Sequence, residues 1–309
     1  KKLNKFRNKS FIVAISGGPD SLALAALSKA ASYQTKSKFH YVLVNHNLRK
    51  NSTAEAHKVK SLLNKHQIKL KIFSYKEKIK KNIQSQARKA RYEILQNYSN
   101  KKKINIIITA HHLEDQVETF FIRLSRGSGL KGLSAMKTFS KLNYSTKIFR
   151  PLLNTNKHKL IKISKKVFGK FIEDPSNKDE KYLRTKIRNL KKHLTKSGIN
   201  YDQIIRSINN LSSSEKILSE HYKSILRDNL KKSKNKISVD LEKFRQFNDQ
   251  IKTKIINVAI KNFKNNYYDI RHKKVANLVR NIKSKNFNKA TLGGCIFFIK
   301  KDELCVKKE

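Results

Sequence analysis

Two short segments hold the residue types and spacings that chemistry needs. The first is Ser16-Gly17-Gly18-Pro19-Asp20-Ser21, set between an apolar run and an amphipathic stretch. Glycines there let the backbone turn sharply and approach a ligand closely. The N–H groups of such a loop, with the positive end of the helix that follows, make a nest suited to phosphate. Ser16 and Ser21 add hydroxyls. A carboxylate in a phosphate loop meets like charge, so Asp20 makes sense when a divalent cation bridges it to phosphate oxygens. No Gly-Lys-Ser/Thr follows, so this is not the common P-loop.

The second segment is Thr109-Ala110-His111-His112-Leu113-Glu114-Asp115-Gln116-Val117-Glu118-Thr119, at the end of another apolar run. A lone histidine is usually structural, and Glu114 or Glu118 alone reads as a helix start favoured by the dipole. As a group, His111, His112 and Asp115 read as a functional cluster. In open α/β sheets ligands bind at the carboxyl ends of strands. Were the two strands neighbours, Asp20 and Asp115 could share one metal ion. Next comes Arg123-Leu124-Ser125-Arg126-Gly127-Ser128-Gly129. It suits phosphate or RNA backbone, and equally a helix end with a glycine cap; both stay open.

The elements that must position these segments follow from hydrophobic spacing. Phe11–Ile15, Tyr41–Val44, Leu70–Phe73 and Ile104–Ala110 are short apolar runs of the kind buried on both faces of a parallel sheet. Ser21–Ala31, Ala54–His66, Ser85–Tyr98 and Asp115–Arg123 between them read as helices. Alternation of this kind predicts an α/β fold with a parallel sheet. Lys157–Phe168 is a further helix stopped by Gly169. Asp179–Leu194 is expected to be another, with Leu183, Ile187, Leu190 and Leu194 on one face and Arg184, Arg188 and Lys191 on an adjacent one. A domain boundary is expected near residue 195. Beyond it lie a long amphipathic helix around Ile204–Ile225, helices over Leu241–Phe263 and Arg271–Ile282, and a terminal hairpin over Leu292–Val306.

Charge narrows the partners. Lys and Arg number 71 against 22 acidic residues, a net charge of +49. Codon bias accounts for lysine in place of arginine better than for so few acids, because a merely solvated surface mixes both signs. A polyanion is therefore expected, nucleic acid before an anionic membrane. The cysteines, Cys295 and Cys305, exclude a disulfide scaffold and a cysteine metal cluster, and read as small buried strand residues. No apolar run approaches the roughly 18 residues that cross a bilayer. The five-residue run Phe11–Ile15 is shorter than a signal-peptide core, so a cytoplasmic protein is expected. Without an initiator Met, the numbering is expected to begin inside a longer gene product.

The loop at Ser16–Ser21 resembles that of the PP-loop ATP pyrophosphatases, which adenylate a substrate, release pyrophosphate and let a nucleophile displace AMP. More segments together resemble the tRNA(Ile)-lysidine synthases. They are Val44-Asn45-His46-Asn47-Leu48-Arg49, Gln86-Ala87-Arg88-Lys89-Ala90-Arg91-Tyr92, Thr109–Thr119, Arg126-Gly127-Ser128-Gly129, Arg150-Pro151-Leu152-Leu153 and Glu173-Asp174-Pro175-Ser176-Asn177, followed by Tyr182, Arg184 and Arg188. Order and spacing agree over roughly residues 10–195, and Thr291-Leu292-Gly293-Gly294-Cys295 resembles the family's final domain.

The resemblance implies a PP-loop catalytic domain over residues 1–195 and a mostly helical tRNA-binding region with a short β element over 196–309. It implies that ATP adenylates the carbonyl oxygen on carbon 2 of the wobble cytidine in a CAU-anticodon isoleucine tRNA. The amine of free lysine then displaces AMP and forms lysidine. The implied ATP contacts are Ser16, Gly17, Gly18, Pro19, Asp20, Ser21 and Arg91. Asp20 and Asp115 would hold Mg²⁺; Asp20, Asp115, His111 and His112 would be catalytic; Arg126, Arg184, Arg188 and Lys191 would meet tRNA. Two departures stand out: Asn45-His46-Asn47 where the family usually has Asp-His-Gly, and Glu114 where an Asp is usual.

Three rival readings meet obstacles in the sequence. A PP-loop tRNA thiolase needs cysteines near its site, and none precedes Cys295. An amidating synthetase for small molecules has no use for the basic surface. A noncatalytic RNA-binding module leaves Asp20, His111, His112 and Asp115 without purpose. Oligomeric state stays open, since the stripe on the long helix fits a core or a dimer seam.

Overall fold

In a computed structural model, residues 7–75, 77, 82–172, 181, 183–233, 235–263, 270, 272–284 and 286–309 are described. Glu173–Asn177 and Tyr182 of the family segment, Asp179 of the expected helix and Arg271 lie outside them. Residues Lys1–Ser212 and Ser213–Glu309 form two compact units.

The first unit opens with β1 (Ser10–Ile15), α1 (Pro19–Thr35), β2 (Lys38–Asn45), α2 (Ser52–Lys65), β3 (Leu70–Ser74), α3 (Ile83–Lys102) and β4 (Ile106–Ile108). It continues with α4 (Leu113–Leu124), α5 (Leu130–Leu133), β5 (Phe139–Lys141), β6 (Lys147–Phe149) and α6 (Lys157–Phe168). Then come α7 (Leu183–Asn189), α8 (Lys191–Lys196) and α9 (Tyr201–Asn229), whose second half belongs to the other unit.

The sheet order is β3-β2-β1-β4-β6-β5. All neighbours run parallel except β5, which pairs antiparallel with β6. Alternate β1 side chains explain why its run is continuously apolar. Phe11, Val13 and Ile15 enter the core shared with α1, α2 and α6, while Ile12 enters the core on the α3 side. The strand order reverses between β1 and β4, and that reversal opens a crevice at the carboxyl ends of both strands.

The second unit contains β7 (Lys231–Lys232), β8 (Lys236–Asp240), α10 (Leu241–Gln246), α11 (Asp249–Phe263), α12 (His272–Lys283), β9 (Lys289–Leu292), β10 (Cys295–Lys300) and β11 (Glu303–Lys308). Its five strands form an antiparallel sheet in the order β7-β8-β11-β10-β9, packed with the three helices around one apolar core. Both cysteines are buried strand residues, as expected. Among the described residues no helix is long and apolar enough to cross a membrane.

Three expectations need correction. The terminal hairpin is part of a five-stranded sheet, because Lys231–Lys232 and Lys236–Asp240, too polar to read as strands, pair onto its edge through β8 and β11. The helix over Leu241–Phe263 is two helices, each with its own cap: Asp240 accepts from Lys243 N, and Asn248 from Ile251 N. The helix through Leu194 breaks at Leu190, and of its apolar stripe only Ile187 is buried, with Leu183 and Leu190 exposed.

Candidate active site

The loop after β1 is held by one side chain. Ser21 Oγ accepts from Ser16 N and Gly17 N, both at 3.1 Å, and donates to Gly18 O at 2.9 Å. Ser21 is thus a brace for the loop, not a free donor to a ligand. Gly17 has φ +86°, and a Cβ there would stand 2.6 Å from Val59 Cγ2. Only glycine meets both conditions. Pro19 begins α1, and Asp20 lies in its first turn.

Residues His111 to Asp115 leave β4 and enter α4. Asp115 Oδ2 accepts from His112 N at 3.0 Å and closes a capping box. His112 Nε2 lies 3.5 Å from Asp115 Oδ2 and 3.6 Å from Asp20 Oδ2. Both expected metal ligands therefore reach one imidazole, and the pairing of β1 with β4 is what brings them there. On the other ring edge, Nδ1 meets Glu114 Oε2 at 3.0 Å. Glu114 also accepts from Lys157 N at 2.9 Å, so it ties α4 to α6.

Charge in this cluster is set by burial against pairing. Burial opposes a charge on His112, but the hydrogen bonds to Asp20 and Glu114 and the charges of Asp115 and Asp20 overcome it and push its pKa up to about 10. His111 goes the other way. Burial, against the pull of Asp115 and with the charges of Arg150, Arg88 and Arg184, takes it down to about 3. It stays neutral, with Nδ1 2.8 Å from Thr109 Oγ1. Adjacent histidines thus hold opposite protonation states. Burial would raise the carboxyl of Glu114, and its bonds to His112 and Lys157 hold it below its usual value.

By residue type Glu118 reads as a solvated helix-start acid or, with His111 and His112, as one of three candidates to take a proton from the attacking lysine. It is 1% exposed and faces α7. Arg188 Nε donates to its Oε1 at 2.9 Å, and Arg184 Nε lies 3.5 Å from Oε2. Burial raises its pKa against the pull of Arg188 and Arg184. Arg184 and Arg188, expected as a basic face for tRNA, both also reach this carboxylate, and each side chain stays partly exposed. The i, i+4 spacing of the two arginines was the available signal; their partner was not legible. Lys191 lies over the ring of Tyr201, 4.9 Å from its centroid. Arg126 is exposed, away from this cluster in the turn after α4, whereas Arg123 is folded back onto Gly132 O and Ala135 O.

The departure at Asn45-His46-Asn47 has a local account. Asn47 has φ +52°, the left-handed conformation that a glycine favours and that asparagine tolerates. Asn45 Oδ1 accepts from Asn47 N at 3.0 Å, as an aspartate would, and its Nδ2 donates to Thr53 Oγ1 at 3.1 Å. His46, at the end of β2, keeps both ring nitrogens buried without a partner. Burial and then the charge of Arg91 lower its pKa to about 4.

These features match known proteins over most of the chain. A family described as a PP-loop domain covers residues 1–194. The tRNA(Ile)-lysidine synthase of Wolbachia pipientis wMel is 35% identical over 295 residues, 94% of this chain and 68% of that protein. The chain belongs to the tRNA(Ile)-lysidine synthase family. Another family member, from Orientia tsutsugamushi (strain Boryong), is 43% identical over 188 residues, but that match spans 60% of this chain and only 42% of the relative. The Rickettsia typhi member is 30% identical over 99% of this chain and 71% of its own. Among solved structures, a U34-tRNA thiolase from Methanococcus maripaludis shares the fold, with a TM-score of 0.57 at 20% identity over 67% of this chain and 72% of that one.

Proposed function

We propose that this chain ligates lysine to carbon 2 of the wobble cytidine in a CAU-anticodon isoleucine tRNA, through an adenylated base, with release of pyrophosphate and AMP. The observation that carries this reading is the crevice between β1 and β4. It places a braced phosphate loop and a cluster of carboxylates and histidines around a single imidazole.

The loop and the start of α1 receive the phosphates of ATP, with Arg91 on the β2 side. Asp20 Oδ1 is buried and has no hydrogen-bond partner. An anionic oxygen in that state fits a hard cation, and Mg²⁺ commonly takes one or two carboxylates plus substrate phosphates. Asp20 and Asp115 would hold it, and it would offset phosphate charge during adenylation. His112 fixes both carboxylates. A cytidine carbonyl oxygen is a poor leaving group until adenylation makes it a good one. The anticodon loop is single-stranded, so its base enters a pocket without opening a duplex.

The attacking lysine must lose a proton, since its free pKa is about 10.4. His112 already lies among three carboxylates, and His111 is a weak base held neutral. Glu118 is the buried carboxylate left to steer the lysine ammonium and take its proton. We assign ATP chemistry to residues 1–195 and tRNA contact to 196–309 together with Arg126, Arg184, Arg188 and Lys191. The cytoplasm is where such a substrate is met.

The test is AMP release from ATP, with tRNA and each free amino acid supplied singly and together. AMP that requires both lysine and the CAU-anticodon tRNA is the expected result. AMP formed with a small acid or amide donor and no RNA would move the protein to the synthetase reading. Asp20→Ala is expected to abolish turnover and nearly keep tRNA binding.

A further inference from the structure

Arg150 follows β6 at the same sheet edge and is 6% exposed. One of its nitrogens, Nη1, donates to Lys137 O and to Ser140 Oγ, both at 2.9 Å. The Tyr92 hydroxyl lies close enough to this guanidinium to favour its charge. Its Nε is buried and has no partner, and among the described residues no carboxylate pairs with it. A buried cation without a counter-charge is unfavourable unless an anion joins it.

A second guanidinium stands close by. Arg88 lies over the Tyr92 ring, 5.0 Å from its centroid, one helical turn away on α3. It is exposed and likewise has no carboxylate partner among the described residues. Its charge and that of Arg150 both act on His111, and each guanidinium acts on the other. Arg91, three residues further along α3, instead acts on His46 at the end of β2. The two ends of the crevice are thereby distinguished. Arg91 lies on the β2 side of the phosphate loop, and Arg88 with Arg150 lies on the β6 side of the histidine cluster.

We infer that Arg150, Arg88 and Tyr92 form a seat for a phosphodiester of the RNA substrate next to the base that is modified. This rests on the RNA-modifying reading above. The phosphate loop sits at β1, so ATP approaches the cluster from that side, and the second reactant must enter from the side of β6. Guanidinium is the side chain best matched to a phosphodiester, because its planar fork donates two parallel hydrogen bonds. Stacking on Tyr92 pre-orients Arg88 for that contact.

The test uses the full chain and its Arg88→Gln variant, whose side chain is exposed. Binding of a CAU-anticodon isoleucine tRNA is measured against salt, and ATP binding is measured separately. Expected are a loss of about ten-fold in tRNA affinity, a salt slope shallower by about one, and unchanged ATP affinity. Replacing the phosphodiesters flanking the wobble cytidine by neutral methylphosphonates, one at a time, is expected to weaken the wild type at one position and to add nothing to Arg88→Gln there. Arg88→Lys is expected to recover the salt slope but only part of the affinity. Lost ATP affinity with tRNA affinity kept would place the pyrophosphate end of ATP in this seat and overturn the assignment. So would additive losses at every methylphosphonate position. A wild type that binds no tRNA would instead refute the underlying reading, independently of Arg88.

Discussion

Glu118 and Arg188 form an unequal pair, and removing either partner should therefore cost unequal amounts. The carboxylate side chain is 2% exposed, whereas Arg188 and Arg184 are 35% and 39% exposed. Arg188→Ala leaves a buried carboxylate with only Arg184, 3.5 Å away, to offset it. Losing one partner of a fully buried pair costs about 3–5 kcal/mol. Discounting for the partly solvated arginine and for the surviving neighbour gives about 2 kcal/mol. Glu118→Gln removes the buried charge and leaves two guanidiniums that water already reaches. Its cost should be about 0–1 kcal/mol. Urea denaturation of both variants and the wild type measures this, and pH gives a second reading. Burial already raises the carboxyl of Glu118 in the native state. A raised carboxyl makes the native state bind its proton at higher pH than the unfolded chain does, so its charge weakens the fold as pH rises above the ordinary carboxylate range. The defect of Arg188→Ala should be largest at neutral pH and shrink as the medium is acidified toward the ordinary carboxylate range. Glu118→Gln should lack that component and still lose lysidine formation. Equal destabilisation by the two variants, or a pH-independent Arg188→Ala defect, would refute the argument from buried charge.

Three further outcomes are expected. Gly17→Ala combines a left-handed backbone with the clash on Val59; it should destabilise by about 2–4 kcal/mol, visible as a melting point lower by roughly 5–10 °C, and Val59→Ala should rescue only part. Asn47→Gly should change stability by less than about 1 kcal/mol, whereas Asn47→Val should cost more, since a β-branched residue resists a φ of +52°. His46 titrates near 6.5 in the unfolded chain and at about 4 in the fold, so only the unfolded chain gains its proton between those values. Stability should fall as pH drops through that window, and His46→Leu should flatten this part of the pH profile in denaturation titrations.

The chain itself determined the local features. Ser16–Ser21 needs a glycine at a left-handed φ, and residue type encodes that directly. Continuous apolar runs marked β1 and β2 because strands buried on both faces have no polar alternation to show, whereas the edge strand β3 carries the exposed Lys71. Local pattern erred where elements were short or partner-dependent. The polar strands β7 and β8 exist because β11 offers them an edge, and the helix after Leu241 stops where Asn248 caps the next one.

Only tertiary structure decided which groups act together. Asp20 and Asp115 meet at one imidazole because β4 lies beside β1, an order that no periodicity along the chain expresses. Glu118 takes Arg188 from 70 residues away, a partner that the local basic pattern along the chain does not reveal. The opposite protonation states of His111 and His112 have the same origin. The two residues are chemically identical and adjacent, and only the carboxylates and guanidiniums that the fold gathers around each ring separate them.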